Sequence, residues 1–122
     1  MNQTLSTGFT AWMVAAMLVA QALLGLLRVG RRILRRLHIV LGILLIPVTF
    51  FHAWMSMKTV SMKSANTTGL WLATAALLLL GVQLSLGTAL IRPSGSRSLT
   101  RLHLTVGVAI VSLAGAHVLL IK

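Results

Sequence analysis

Four apolar runs organise the chain, at about Phe9–Leu27, Ile33–Met57, Gly69–Ile91 and Leu99–Ile121. Each is near or above the ~20 residues with which an α-helix crosses the hydrocarbon core of a bilayer. The pattern predicts an all-α chain forming one domain over residues 1–122, a transmembrane four-helix bundle with helices at about 9–27, 33–57, 69–91 and 99–121. The first run reads as a span and not as a signal peptide. Met1–Thr10 has no positive n-region, and the run continues past a typical h-region. Val29–Arg32 reads as a tight turn that makes helices one and two antiparallel neighbours. Arg92–Ser98 holds the turn residues Pro93 and Gly95. Lys58–Thr68 is the longest connection and the one expected to be flexible.

The second half repeats the first. Arg36-Leu37-His38-Ile39-Val40-Leu41-Gly42 aligns with Arg101-Leu102-His103-Leu104-Thr105-Val106-Gly107, and Gln21-Ala22-Leu23-Leu24-Gly25 aligns with Gln83-Leu84-Ser85-Leu86-Gly87. Thr7-Gly8 and Thr68-Gly69 open the two odd-numbered helices, followed by Trp12 and Trp71. A duplicated helical hairpin explains the match, as a parallel repeat about an axis near the membrane normal.

Composition supports the membrane reading. Of 122 residues, 57% are hydrophobic and 9% charged, against about 25% charged in soluble domains, and there is no Asp or Glu. The absence of cysteine excludes disulfides, iron–sulfur ligation and covalent haem attachment through C-x-x-C-H.

Charge placement sets the expected topology. Arg28, Arg31, Arg32, Arg35 and Arg36 surround the first connection, and Arg92, Arg97 and Arg101 the third. The other side carries only Lys58, Lys63 and Lys122. The positive-inside rule puts both arginine-rich loops in the cytoplasm and both termini outside, in a bacterial inner membrane. Trp12, Trp54 and Trp71 then fall in the outer aromatic belt. The net charge of +11 does not point to nucleic acid, because the charges sit at membrane edges with no interleaved aromatic platform. Membrane lipid is the expected partner of these charges, with haem propionates and an acidic partner subunit as further candidates.

Histidines carry the candidate chemistry. His38 and His52 are fourteen residues apart, and so are His103 and His117. Fourteen helical residues rise about 21 Å and return to within roughly 40° of the starting face. Each even-numbered helix therefore presents one imidazole near each side of the bilayer, both aimed the same way. A histidine inside a span is costly and marks function. Two such helices facing each other form two stacked bis-histidine sites, His38/His103 and His52/His117, suited to two non-covalent haems b. The competing explanation is four histidines bonded internally to neighbouring hydroxyl groups.

Around them, Gly25 and Gly87 lie at the depth of His38 and His103, and Ala11 and Ala73 near the depth of His52 and His117. These small residues offer clearance for a flat macrocycle or plain helix packing. Gly42 and Thr49 on helix two match Gly107 and Ala114 on helix four. Arg35, Arg36 and Arg101 lie within a turn of the cytoplasmic-side histidines and are candidates for haem propionates, competing with topology signal and lipid contact. Gln21 and Gln83 are the only amides within the spans, candidates to donate to a histidine, a propionate or a quinone, or to bridge helices. Pro47, which frees the Ile43 carbonyl, is expected to kink helix two and has no counterpart in helix four. Met55 and Met57 are weaker candidates to replace His52 as a ligand.

With these residues placed, the whole chain resembles the di-haem cytochrome b family, above all the four-helix haem-bearing core of the cytochrome b of quinol-oxidising respiratory and photosynthetic complexes. The matching features are His-x13-His on helices two and four and glycines on helices one and three. The same spacing occurs in transmembrane ferric reductases and NADPH oxidases. The resemblance implies two haems b ligated by His38/His103 and His52/His117, carrying electrons across the membrane. The chain departs from the family in lacking the proton-accepting carboxylate and the further helices of a quinol-oxidation site, and it has no flavin or nucleotide domain. An electron-transfer subunit of a larger respiratory or photosynthetic complex is expected, not a stand-alone enzyme, with quinone as a further candidate partner. The rivals are a bacteriochlorophyll-binding subunit and a non-redox structural membrane subunit.

Overall fold

The computed structural model describes residues 3–27, 32–59, 67–91 and 96–120. They form four helices: α1 (Gln3–Leu27), α2 (Arg32–Thr59), α3 (Thr67–Ile91) and α4 (Arg97–Leu120). No strand occurs among the described residues. The helices run 24 to 28 residues, or about 36–42 Å at 1.5 Å per residue. All four are long and apolar enough to cross a membrane. The expected connections at 29–32, 58–68 and 92–98 lie largely outside the described residues, as do Arg28, Arg31, Lys63, Arg92, Pro93, Gly95 and Lys122.

Helix starts fall earlier than the apolar runs. α1 begins at Gln3 and α3 at Thr67, because backbone bonding continues into polar residues after hydropathy has stopped marking the helix. At α4 the reason is a cap. The Leu99 backbone N–H donates to Ser96 Oγ at 3.2 Å, and the Thr100 N–H donates to the Ser96 carbonyl at 3.2 Å. Ser96 is thus the N-cap, satisfying one of the donors that a helix start leaves over.

The chain divides into two compact units, Met1–Ser64 and Ala65–Lys122. Each is an antiparallel hairpin, α1 against α2 and α3 against α4. The buried apolar residues among those described are Leu45 in the first hairpin and Leu80 and Ile110 in the second. Leu45 and Ile110 occupy the same place in the repeat, seven residues after His38 and His103. Large apolar side chains such as Phe9, Val19, Phe50, Leu78, Val108 and Leu119 are more than half exposed. Water would penalise this exterior, whereas lipid accepts it. The chain has the build of an integral, multi-pass membrane protein in contact with lipid.

Hydroxyl groups along the helices turn inward to the backbone. Thr49, Thr74, Ser85 and Thr105 each donate to the carbonyl four residues back, at 2.6 to 3.1 Å. Such bonds hide a polar hydrogen where no water is at hand. α2 is helical throughout, Pro47 included. Trp12 and Trp54 are both exposed at one end of the first hairpin, and Lys58 Nζ lies 4.9 Å from the Trp54 ring centroid. Arg32, Arg35 and Arg36 mark the other end. Trp71 and Arg97/Arg101 mark the corresponding ends of the second hairpin.

Candidate functional site

At the arginine end of the first hairpin, His38 on α2 lies against α1. Its Nδ1 is 3.2 Å from the Gln21 backbone carbonyl. A carbonyl can only accept, so Nδ1 carries the proton and the lone pair belongs to Nε2. Gly25 makes this approach possible. It lies one turn beyond Gln21, and a Cβ built there would meet His38 Cε1 at 3.3 Å. A bare backbone at this position lets the ring reach a carbonyl that already serves its own helix.

The tryptophan end of the second hairpin repeats the device. His117 Nδ1 donates to the Gly69 carbonyl at 2.8 Å, which again assigns the lone pair to Nε2. The residue one turn beyond Gly69 is Ala73, small like Gly25. The remaining two histidines are held by side chains. His52 Nδ1 lies 3.0 Å from the Thr10 hydroxyl, and Thr10 is buried. His103, also buried, accepts at Nε2 from Gln83 Nε2 at 3.3 Å.

The two glutamines pack alike. A Cβ at Gly42 would lie 2.8 Å from Gln21 Nε2, and one at Gly107 would lie 3.1 Å from Gln83 Nε2. Each carboxamide is laid across a bare stretch of the opposite helix. Gln21 Oε1 and Gln83 Oε1 are both buried and accept no hydrogen bond from the described residues.

The arginine ends of the hairpins thus share their glycine contacts, Gly25 on His38 and Gly87 on His103, Gln21 on Gly42 and Gln83 on Gly107, while the hydrogen bonds of the two histidines differ. A Cβ at Gly87 would sit 3.6 Å from His103 Cε1, an ordinary contact. The tryptophan ends diverge, since the Gly69 that holds His117 aligns with Gly8 of the repeat and not with Thr10. Pro47 lies between the matching and the diverging parts of α2, and α4 has no counterpart.

Several expected site residues find their places in this geometry. Gly25 and Gly87 face the histidine rings of their own hairpins, so the space they leave is used by imidazole. Arg36 and Arg101 are exposed. Each precedes its histidine by two residues, which starts its side chain about 160° around the helix from the imidazole. Arg35, three residues before His38, starts on the histidine's own face. Gln21 and Gln83 bridge the helices of their hairpins. Thr10 and Gly69 are histidine partners that spacing alone does not single out. A hydroxyl inside an apolar run was the available signal for Thr10; a backbone carbonyl leaves no signal for Gly69.

The donor set fits an axial role. A ligating histidine characteristically donates its other ring nitrogen to a carbonyl or similar acceptor, which fixes the tautomer and raises the basicity of the ligand. His38 and His117 are held in this manner. Among the described residues no three His, Cys, Asp or Glu side chains gather at one point; a haem iron with two axial histidines requires only two protein ligands. No known protein family, characterised protein or solved structure matches the chain.

Proposed function

We propose that the chain is an integral-membrane b-type cytochrome that holds two haems and passes electrons across the bilayer, as a subunit of a larger electron-transfer complex. In this reading His38 and His103 ligate one haem on the arginine side, and His52 and His117 ligate the other. The arginine ends face the cytoplasm of a bacterial inner membrane, and both termini lie outside. The observation that carries the reading is the fixing of His38 and His117 through Nδ1 onto backbone carbonyls. This leaves Nε2, the nitrogen an iron would take, as the basic atom. The fourteen-residue spacing, repeated in both hairpins, supports it independently.

Bound haem supplies one-electron chemistry. The chain's part is to orient the four imidazoles, to keep water away with its apolar exterior, and to tune the ligands through their second nitrogens. Nothing among the side chains supplies a carboxylate to accept protons, which favours electron relay over coupled proton chemistry.

One observation favours a second reading, a non-redox structural subunit. Every histidine has a hydrogen-bond partner within its own hairpin. Purification in detergent followed by reduction separates the two. The cytochrome gives bis-histidine α and Soret bands and about two irons per chain; the structural subunit is colourless. Pigment extraction tests for bacteriochlorophyll in the same sample.

A further inference from the structure

We propose that Gln83 caps the ligating nitrogen of His103, so that the second hairpin's arginine-end site opens only when this carboxamide is displaced. The inference rests on the two-haem reading for its consequence, but the cap itself is a property of the haem-free chain. An amide N–H can only donate, so the 3.3 Å contact between Gln83 Nε2 and His103 Nε2 directs the amide hydrogen onto the ring lone pair. That lone pair is the one an iron would use. The ring is buried, and the carboxamide lies against Gly107, where a Cβ would be 3.1 Å away. Gln83 is thus seated between a helix backbone and the nitrogen it covers.

The cap is built to release. Gln83 Oε1 is buried and accepts no hydrogen bond from the described residues. The carboxamide is therefore satisfied on its donor side only, and a move that brings its oxygen a donor recovers part of the cost. The first hairpin handles its equivalent histidine differently, holding His38 at Nδ1 through the Gln21 carbonyl. The two histidines assigned to the arginine-end haem are therefore held by different groups, His38 by a backbone carbonyl and His103 by a carboxamide. At the tryptophan end, His52 and His117 each make a hydrogen-bond contact at Nδ1.

Haemin titration of the haem-free, full-length protein in detergent micelles tests this. With the tryptophan-end site removed by His52→Leu, Gln83→Met should tighten the remaining haemin step about three- to tenfold, the equivalent of one amide hydrogen bond. With the arginine-end site removed by His38→Leu, the same change should leave the remaining step unaltered. Gln83→Leu serves as a second variant, and retained helicity reports that each protein is folded. Unchanged or weaker binding in the His52→Leu background overturns the cap. A separate readout needs no haem. In the haem-free protein the ¹⁵N resonance of His103 Nε2 should be that of a hydrogen-bonded acceptor and should move in Gln83→Met; an unmoved resonance overturns the cap. No haemin uptake by any variant overturns the two-haem reading, while the ¹⁵N result still decides the cap.

Discussion

His38 Nδ1 reaches the backbone carbonyl of Gln21, 3.2 Å away, past Gly25, where a Cβ would stand 3.3 Å from the ring. Glycine here does more than loosen the packing of two helices. It exposes a carbonyl to a second donor and so decides which ring nitrogen keeps the lone pair. At Gly87 the corresponding clearance is wider, 3.6 Å from His103 Cε1.

The difference of 0.3 Å between these clearances predicts different outcomes for the same substitution. Gly87→Ala should stabilise the protein by about 0.5–1 kcal/mol, the helix-propensity gain of alanine over glycine. Gly25→Ala makes the same gain but must push the His38 ring off by a few tenths of an ångström, weakening a bond worth about 0.5–1.5 kcal/mol. The two nearly cancel. Unfolding in detergent followed by circular dichroism should rank Gly87→Ala above wild type and Gly25→Ala close to it. An equal gain in both variants would show that the His38 ring is not held at this distance.

On the proposed two-haem assignment, His52→Ala should remove one haem and leave the other. His38 and His52 are held by different partners, the Gln21 carbonyl and the Thr10 hydroxyl, and stand about 21 Å apart along α2. Iron should fall from about two per chain to about one, with bis-histidine bands retained. Loss of both haems, or of neither, contradicts the assignment.

Thr10 is coupled to His52 by the hydrogen bond described above. Thr10→Val preserves shape and removes the hydroxyl at 3.0 Å. It should cost about 1 kcal/mol, as expected for a buried bond that loses one partner. In a double-mutant cycle with His52→Ala the coupling should be about 1 kcal/mol, while the cycle with His38→Ala, at the far end of α2, should be additive. Additivity in both cycles would mean that the hydroxyl does not hold the ring.

Much of this was legible in the sequence, for physical reasons that differ from residue to residue. Helix number follows from hydropathy, because a helix that crosses a bilayer must stay apolar over its span. The start at Arg97 depends on the Ser96 hydroxyl, which a hydropathy pattern does not register. The repeat paired Gly25 with Gly87 and Gln21 with Gln83, and their contacts with the opposite helix's histidine ring and glycine follow that pairing. What the repeat could not supply is the difference between equivalent positions. His38 is held by a backbone atom and His103 by a side chain, although their neighbours in sequence correspond. Backbone acceptors such as the Gly69 carbonyl carry no residue signature, so the partner of His117 emerges only from the fold.

Three further glycines give a last contrast that separates packing from mere smallness. A Cβ at Gly42 would stand 2.8 Å from Gln21 Nε2, closer than real contacts allow, whereas Gly81 and Gly115 have nothing within 4 Å of that position. Gly81→Ala and Gly115→Ala should therefore each gain about 0.5–1 kcal/mol from helix propensity alone. Gly42→Ala must displace the Gln21 carboxamide. That group is the flexible end of its side chain, so the helix can survive, but the carboxamide loses its seat against α2. The propensity gain should disappear or reverse by about 1 kcal/mol. Adding Gln21→Ala to Gly42→Ala removes the obstructing group, so the pair should be more stable than the sum of the single changes, by about 0.5–1 kcal/mol. Unfolding of the four proteins under one detergent condition measures that coupling. Strict additivity would mean that Gln21 does not lie on Gly42.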